Sequence, residues 1–259
     1  MKALLWDVDG TLAETERDGH RVAFNQAFEA LGLPWRWDEA HYGRLLAVTG
    51  GRERLLHDMA ARTDAPPLAQ QREALAAELH ARKNRLYAER VAAGAVQLRP
   101  GVAALMAEAR QQGLRLAIAT TTSRSNLRAL LDAAPALDGI GGFDAVVCGE
   151  DVQRKKPDPE VFQRALALLQ LQPLQALAIE DSPGGAAAAR AAGVPVVVTR
   201  SHYFAQATIE GAVAIGPGLD RRDGWRPALA QDRERGEGRV TLADLQHWCA
   251  LSDCVSQFT

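Results

Sequence analysis

Short runs of apolar residues recur along the chain: "ALLWDVD", "LRLAIATTT", "FDAVVCGE", "QALAIEDS", "VPVVVTRS" and "AVAIG". They are rich in Val, Ile, Leu and Ala and do not alternate with polar residues. Strands that are covered on both faces read this way, so the runs predict a parallel sheet between two layers of helices. The segments between them, residues 101–112, 124–134, 158–170 and 184–192, predict helices, several with Pro or Gly at an end. Strand and helix in alternation predict a doubly wound α/β core with a mostly parallel, Rossmann-like sheet.

The interval from about Glu16 to Gly94 breaks this rhythm. It holds no comparable apolar run. Its stretches "RVAFNQAFEALGL", "WDEAHYGRLLAV", "GRERLLHDMAAR" and "PLAQQREALAAELHARKNRLYAERVAA" predict helices only. The simplest organisation is a core of residues 1–15 and 95–259 with an all-helical domain, residues 16–94, inserted after the first strand. Near the C-terminus, "RRDGWRPALAQDRERGEGR" predicts a surface loop, and "TLADLQHWCALSD" a short helix with Thr241 near its start.

Composition narrows the field of functions. The 259 residues are 47% hydrophobic and 24% charged, a globular balance, and the formal net charge of −2 gives no broad footprint for nucleic acid. No run of 18 apolar residues exists, so no membrane span is expected. Cys148, Cys249 and Cys254 lack paired metal-ligand spacing and suggest a reducing compartment. The first strand begins almost at Met1, which leaves the expectation of no signal or transit peptide and of a cytoplasmic location.

The first strand ends on Asp7 and Asp9. Residues i and i+2 share a side of a strand, so the two carboxylates converge if the strand runs on, although Gly10 implies a turn. Two carboxylates about 4 Å apart repel by roughly 4 kcal/mol at an effective dielectric near 20. Such repulsion raises one pKa unless a cation sits between them. The competing reading is a turn that merely ends a strand. Other strand ends supply partners: Thr120, Thr121 and Thr122 after one, Glu180 and Asp181 after another, and Lys155 and Lys156 before a Pro and a helix. Taken singly, the Thr run reads as a helix cap and the Lys pair as a solvated turn. Taken together at the carboxyl edge of an open α/β sheet, acids, hydroxyls and a lysine suit phosphoryl transfer with Mg²⁺ bound by oxygen.

Four ordered segments now resemble the haloacid dehalogenase-like superfamily: "DVDGT" (7–11), Thr120 closing "AIAT", Lys156 in "KKPDPEVF", and "EDSPGGAAAARAAG" (180–193). The helical insertion resembles that family's cap. Within it, "ETERDGHRVAFNQAF", "WDEAHYGRLLAVTGGRER" and "LHARKNRLY" resemble the CbbY group of sugar-bisphosphate phosphatases, which remove xylulose-1,5-bisphosphate, an inhibitory by-product of Rubisco. That group commonly carries Lys where this chain has Arg52. The charge is kept, and Arg grips phosphate in a fork.

The resemblance implies a set of roles. Asp7 is the nucleophile and forms an aspartyl-phosphate. Asp9 is the acid and then the base, and its own backbone carbonyl joins Asp7, Asp181 and, in support, Glu180 at Mg²⁺. Thr120, Thr121, Thr122 and Lys156 neutralise the transferring group. In the cap, Glu16 would hold sugar hydroxyls, and Arg52, Arg54 and Lys83 a distal phosphate, with Gly50 and Gly51 allowing close approach and His80 and Tyr42 lining the pocket. Read without the resemblance, Arg52, Arg54 and Lys83 are solvated helix charges, and His20 a helix-surface or hinge residue. The expected partner is a small-molecule sugar phosphate, with no nucleic acid or membrane and the chain a monomer. Two rivals remain. A β-phosphoglucomutase-like enzyme would return the phosphoryl group to the sugar; its usual cap histidine falls by ungapped count on Gly19, with His20 adjacent. A non-catalytic phosphate-binding or signalling module is the other.

Overall fold

Ala3–Trp6 forms the first strand, β1, and all four of its residues are buried. It lies inside a six-stranded sheet in a computed structural model that describes residues 1–228 and 238–256. The other strands are β2 (Arg115–Ala119), β3 (Ala145–Val147), β4 (Ala176–Glu180), β5 (Val196–Thr199) and β6 (Ala214–Gly216). Their order is β3-β2-β1-β4-β5-β6, and every neighbouring pair is parallel. The helices are α1 (Arg21–Ala30), α2 (Glu39–Leu45), α3 (Gly51–Ala60), α4 (Ala69–Ala92), α5 (Val102–Gln111), α6 (Arg124–Asp132), α7 (Glu160–Leu169), α8 (Pro183–Ala191) and α9 (Leu242–Ser256).

The apolar runs are continuous because both faces of the sheet are covered. Leu4 and Trp6 of β1 pack in one cluster with Leu105 and Met106 of α5, Leu127 of α6 and Trp248 of α9. Ala3 and Leu5, one step out of phase, pack in a second cluster with Phe162 of α7 and Ala188 of α8. A period of two along the strand therefore feeds two cores. The doubly wound, parallel α/β fold expected from the sequence is the one observed.

A third cluster gathers Phe24, Phe28, Trp35, Trp37, Tyr42, Leu55, Met59 and Leu79 from α1–α4 and the segment between α1 and α2. Its aromatic rings pack directly, with Phe24 4.7 Å and Phe28 5.0 Å from Trp37 between ring centres. Helix α4 serves two cores: Leu79 joins this cluster, whereas Tyr87 and Val91 near its end join the first. The chain passes into and out of the helical stretch side by side, as an antiparallel bridge between Ala13 and Leu98.

At the C-terminus, Thr241 and Asp244 bond each other's backbone N–H, with Asp244 Oδ2 2.9 Å from Thr241 N, which secures the start of α9 as the threonine suggested. Trp248 stacks on Trp225 at 4.6 Å. Of the loop expected over residues 221–239, residues 229–237 lie outside those described. No helix among the described residues is long and apolar enough to cross a membrane.

Candidate active site

The strand order changes direction between β1 and β4, where open α/β sheets form a crevice at the carboxyl edge. Register sets what meets there. Trp6 is level with Ile179 and Ile118, so the next residues, Asp7 and Glu180, emerge side by side. Asp7 donates its N–H to Ile179 O at 3.0 Å. Carboxylate oxygens of Asp7, Glu180 and Asp181 all lie within 4.8 Å of one another, and all three residues are buried. Lys156, 6% exposed, reaches between them: Nζ is 2.6 Å from Asp7 Oδ1, 2.6 Å from Glu180 Oε1 and 2.8 Å from Ala119 O. It is not the solvated turn lysine that a Lys-Lys-Pro run suggests alone. Burial pushes the Glu180 carboxyl up to about 8 despite the opposing Lys156, with Asp7 adding to the rise. Burial, then Asp7 and Glu180, pushes Asp181 well above the usual carboxylate range. Asp7 is raised by burial, against Lys156. Three crowded oxygen donors that resist ionisation fit a small hard cation such as Mg²⁺.

The Asp9 carboxylate does not join that cluster, which corrects the expectation that repulsion from Asp7 raises its pKa. The chain turns at Gly10, whose φ of +90° favours glycine. Asp9 Oδ1 accepts instead from Thr15 Oγ1 at 2.6 Å and lies 3.1 Å from His20 Nε2. Burial opposes ionisation, but His20, Thr15 and Lys83 together hold this carboxyl below the ordinary range. His20 is correspondingly buried, with its ring 4.2 Å from that of Tyr87, and is not a helix-surface residue. Thr15–His20 is a π-helix. Its wider turn takes in an extra residue, so His20 reaches Asp9 although ungapped counting lands on Gly19. A side chain at position 19 would meet the Tyr87 ring.

A cavity of about 770 Å³ runs from these acids to α3 and α4. Asp7, Asp9, Asp181 and Lys156 line it, as do Thr121, Thr122, Glu16, Gly50, Gly51, Arg52, Arg54, His80 and Lys83. Three expected site residues stand behind that lining. Thr120 is buried, its Oγ1 accepting from Thr122 N at 3.2 Å. Glu180 faces Lys156. Tyr42 donates its hydroxyl to Glu16 and accepts from Arg54 Nη1 at 2.7 Å.

Arg54 and Lys83 are 6% and 3% exposed, so the solvated-face reading fails for both. Arg54 also approaches Glu16 to 3.4 Å, and although burial works against its charge, Tyr42, Glu16 and Asp9 raise its pKa. Lys83 lies over the Phe24 and Tyr87 rings at 5.1 and 5.4 Å, and burial lowers its ammonium to about 8. His80 falls to about 4 through burial and the neighbouring Lys83. Arg52 is half exposed and pairs with Glu73 at 2.5 Å, as a helix-surface charge does. Gly50, at φ +102°, leaves room that a side chain would take from Glu53 and Lys155, which pair at 2.5 Å.

A family model for haloacid dehalogenase-like hydrolases matches residues 1–193. The chain belongs to that family. Among curated relatives, it is 50% identical over 222 residues to the plasmid-encoded protein CbbY of Cupriavidus necator, covering 85% of this chain and 86% of that one. It is 47% identical to CbbY of Rhodobacter capsulatus, over 78% of this chain and 87% of the relative. A crystal structure of a CbbY variant from Rhodobacter sphaeroides in complex with xylulose-1,5-bisphosphate is 40% identical and superposes with a TM-score of 0.77, covering 84% of this chain and 94% of the other.

Proposed function

We propose that the protein is a Mg²⁺-dependent phosphatase that hydrolyses xylulose-1,5-bisphosphate. The observation that carries this reading is the polarity of one cavity. Asp7, Asp181 and Lys156 line its base with Glu180 behind them, while Arg54 and Lys83, buried on α3 and α4, line it from the helical side. A ligand with a metal-bound phosphate at one end and a second anion at the other matches both. Similarity to CbbY proteins, one of them seen with xylulose-1,5-bisphosphate, supports the same choice.

In this reading Asp7 attacks phosphorus and the sugar oxygen leaves, so that the phosphoryl group passes to the carboxylate. Lys156 holds Asp7 in place and opposes the upward push of burial on its carboxyl, and it faces the oxygens of the transferring group. Asp7, Asp181 and the Asp9 carbonyl, with Glu180 behind them, would hold Mg²⁺, which supplies positive charge to the phosphate oxygens. The backbone N–H groups of Thr121 and Thr122 offer further donors. Asp9 rests ionised, which suits the second step, when it takes a proton from the attacking water. For the first step it must gain a proton to give to the leaving oxygen, and His20 at 3.1 Å is the adjacent titratable group. Residues 16–94 act as a cap that shuts water out and selects the sugar, with Glu16, held by Tyr42 and Arg54, towards its hydroxyls.

The contact between His20 and Asp9 also fits a mutase. Counting free phosphate per molecule of xylulose-1,5-bisphosphate consumed, with Mg²⁺ present, separates the two. The phosphatase reading expects one phosphate per substrate molecule. A product isomer without free phosphate, or no turnover of this compound, would overturn it.

A further inference from the structure

We propose that Arg99 is a positioning residue for phosphoryl transfer, holding the Asp9–Gly10 turn against Asp181; the link to catalysis rests on the phosphatase reading. Arg99 follows Leu98, at the point where the chain re-enters the core beside Ala13. Its own N–H donates to Leu12 O at 2.7 Å. Its guanidinium spans four backbone carbonyls from three separate segments. Nη1 donates to Gly10 O and, at 3.0 Å, to Thr199 O; Nη2 donates to Arg200 O at 2.7 Å and Pro217 O at 3.2 Å.

These carbonyls surround the acids. Gly10 follows Asp9 and packs so closely on Asp181 that a β carbon there would strike its carboxylate. Arg200 precedes Ser201, whose side chain bonds Asp181. One side chain therefore fixes the turn that carries Asp9 and the strand end that steadies Asp181. It also lies 3.7 Å from Glu14, which accepts from His202 N at 3.2 Å. A planar fork of five N–H donors can serve several carbonyls at once, and a lysine ammonium cannot reproduce that spread. Arg99 is not among the residues lining the cavity, so its effect passes through the residues it holds.

The test compares wild type, R99A and R99K by turnover of an aryl phosphate and by hydrogen exchange. R99A is expected to lower kcat about 100-fold, the scale of an ångström-sized misplacement, with KM within about threefold. Amides of residues 10–13 and 99 should exchange faster while β1 and β4 keep their protection. Millimolar ethylguanidinium should restore kcat of R99A at least about tenfold where equal urea does not, and R99K should stay impaired. Wild-type kcat and exchange in R99A, or loss of protection spread evenly over the sheet in both variants, would overturn the proposal. A wild-type protein that hydrolyses no phosphate ester would sink the phosphatase reading, and exchange at residues 10–13 would still decide whether Arg99 holds the turn.

Discussion

The base of the cavity and its far end are both buried and both charged, and they carry opposite imbalances. At the base, Lys156 pairs with Asp7 and Glu180 while Asp181 crowds both, and burial, reinforced by the neighbouring acids, drives the carboxyls of Glu180 and Asp181 upward. At the far end, Arg54 and Lys83 have Glu16 as their first carboxylate and feel Asp9, itself bonded to Thr15 and His20, as the next, and His80 is neutral near pH 7. Excess charge in a dry site is expensive unless a partner arrives. The base therefore calls for a cation and the far end for an anion. A metal-bound bisphosphate meets both demands, whereas a simple aryl phosphate meets only the first.

Changing the base should cost the most. Asp7→Asn would remove the proposed nucleophile, and kcat is expected to drop by at least about 10⁴-fold, as losses of attacking groups do. The melting temperature should hold, because the substitution removes one of three crowded acids. Lys156→Met should lower kcat by about 10²–10³-fold, the range for loss of a group that stabilises transferring charge. It should also destabilise the fold by roughly 3 kcal/mol, since Asp7 and Glu180 lose their buried partner. Single-turnover assays and denaturant titrations measure the two effects.

Changes at the far end should act on affinity. Arg54→Met is expected to raise KM for the bisphosphate by about 10–100-fold, the worth of one charged hydrogen bond. KM for an aryl phosphate should move less than about threefold by the same logic, since that substrate has no second anion. Equal shifts for both substrates would erase the distinction between the two ends.

The smallest expected effect lies between them. His20 helps hold the Asp9 carboxyl down, so His20→Asn should let that pKa rise. A base with a raised pKa loses its ionised form sooner as pH falls. The acid limb of the kcat profile should therefore move to higher pH, with kcat at its plateau lower by about tenfold, below the range for losing a general base outright. An acid limb that stays in place would mean that Asp9 does not serve as the base.

These residues were not equally visible in the sequence. Buried parallel strands read as unbroken apolar runs, so the strand ends, and with them Asp7, Glu180 and Asp181, could be placed by counting, whereas Lys156, ahead of Pro157 and α7, reads alone as a solvated turn and draws its role from the resemblance. Burial in the cap could not. Arg54 and Lys83 belong to α3 and α4, where polar residues facing a charged cavity leave the same pattern as residues facing water. His20 escaped because a π-helix shifts the phase between residues 15 and 20. The Asp9 expectation failed because a strand's alternation was carried past Trp6, where β1 ends. Arg99 left no trace, since it binds backbone carbonyls that any sequence supplies.

The central claim is that the acids at the base hold a divalent cation. Melting temperature measured from pH 6 to 8, with EDTA and with Mg²⁺, tests it most directly. Glu180 and Asp181 have folded pKa values above their unfolded ones, so without metal the folded state holds the extra protons and stability falls as pH rises towards about 8. Mg²⁺ competes with those protons, so its stabilisation should grow across the same window and vanish in Asp181→Asn. Identical curves with and without Mg²⁺, or an equal Mg²⁺ effect in Asp181→Asn, would contradict the account.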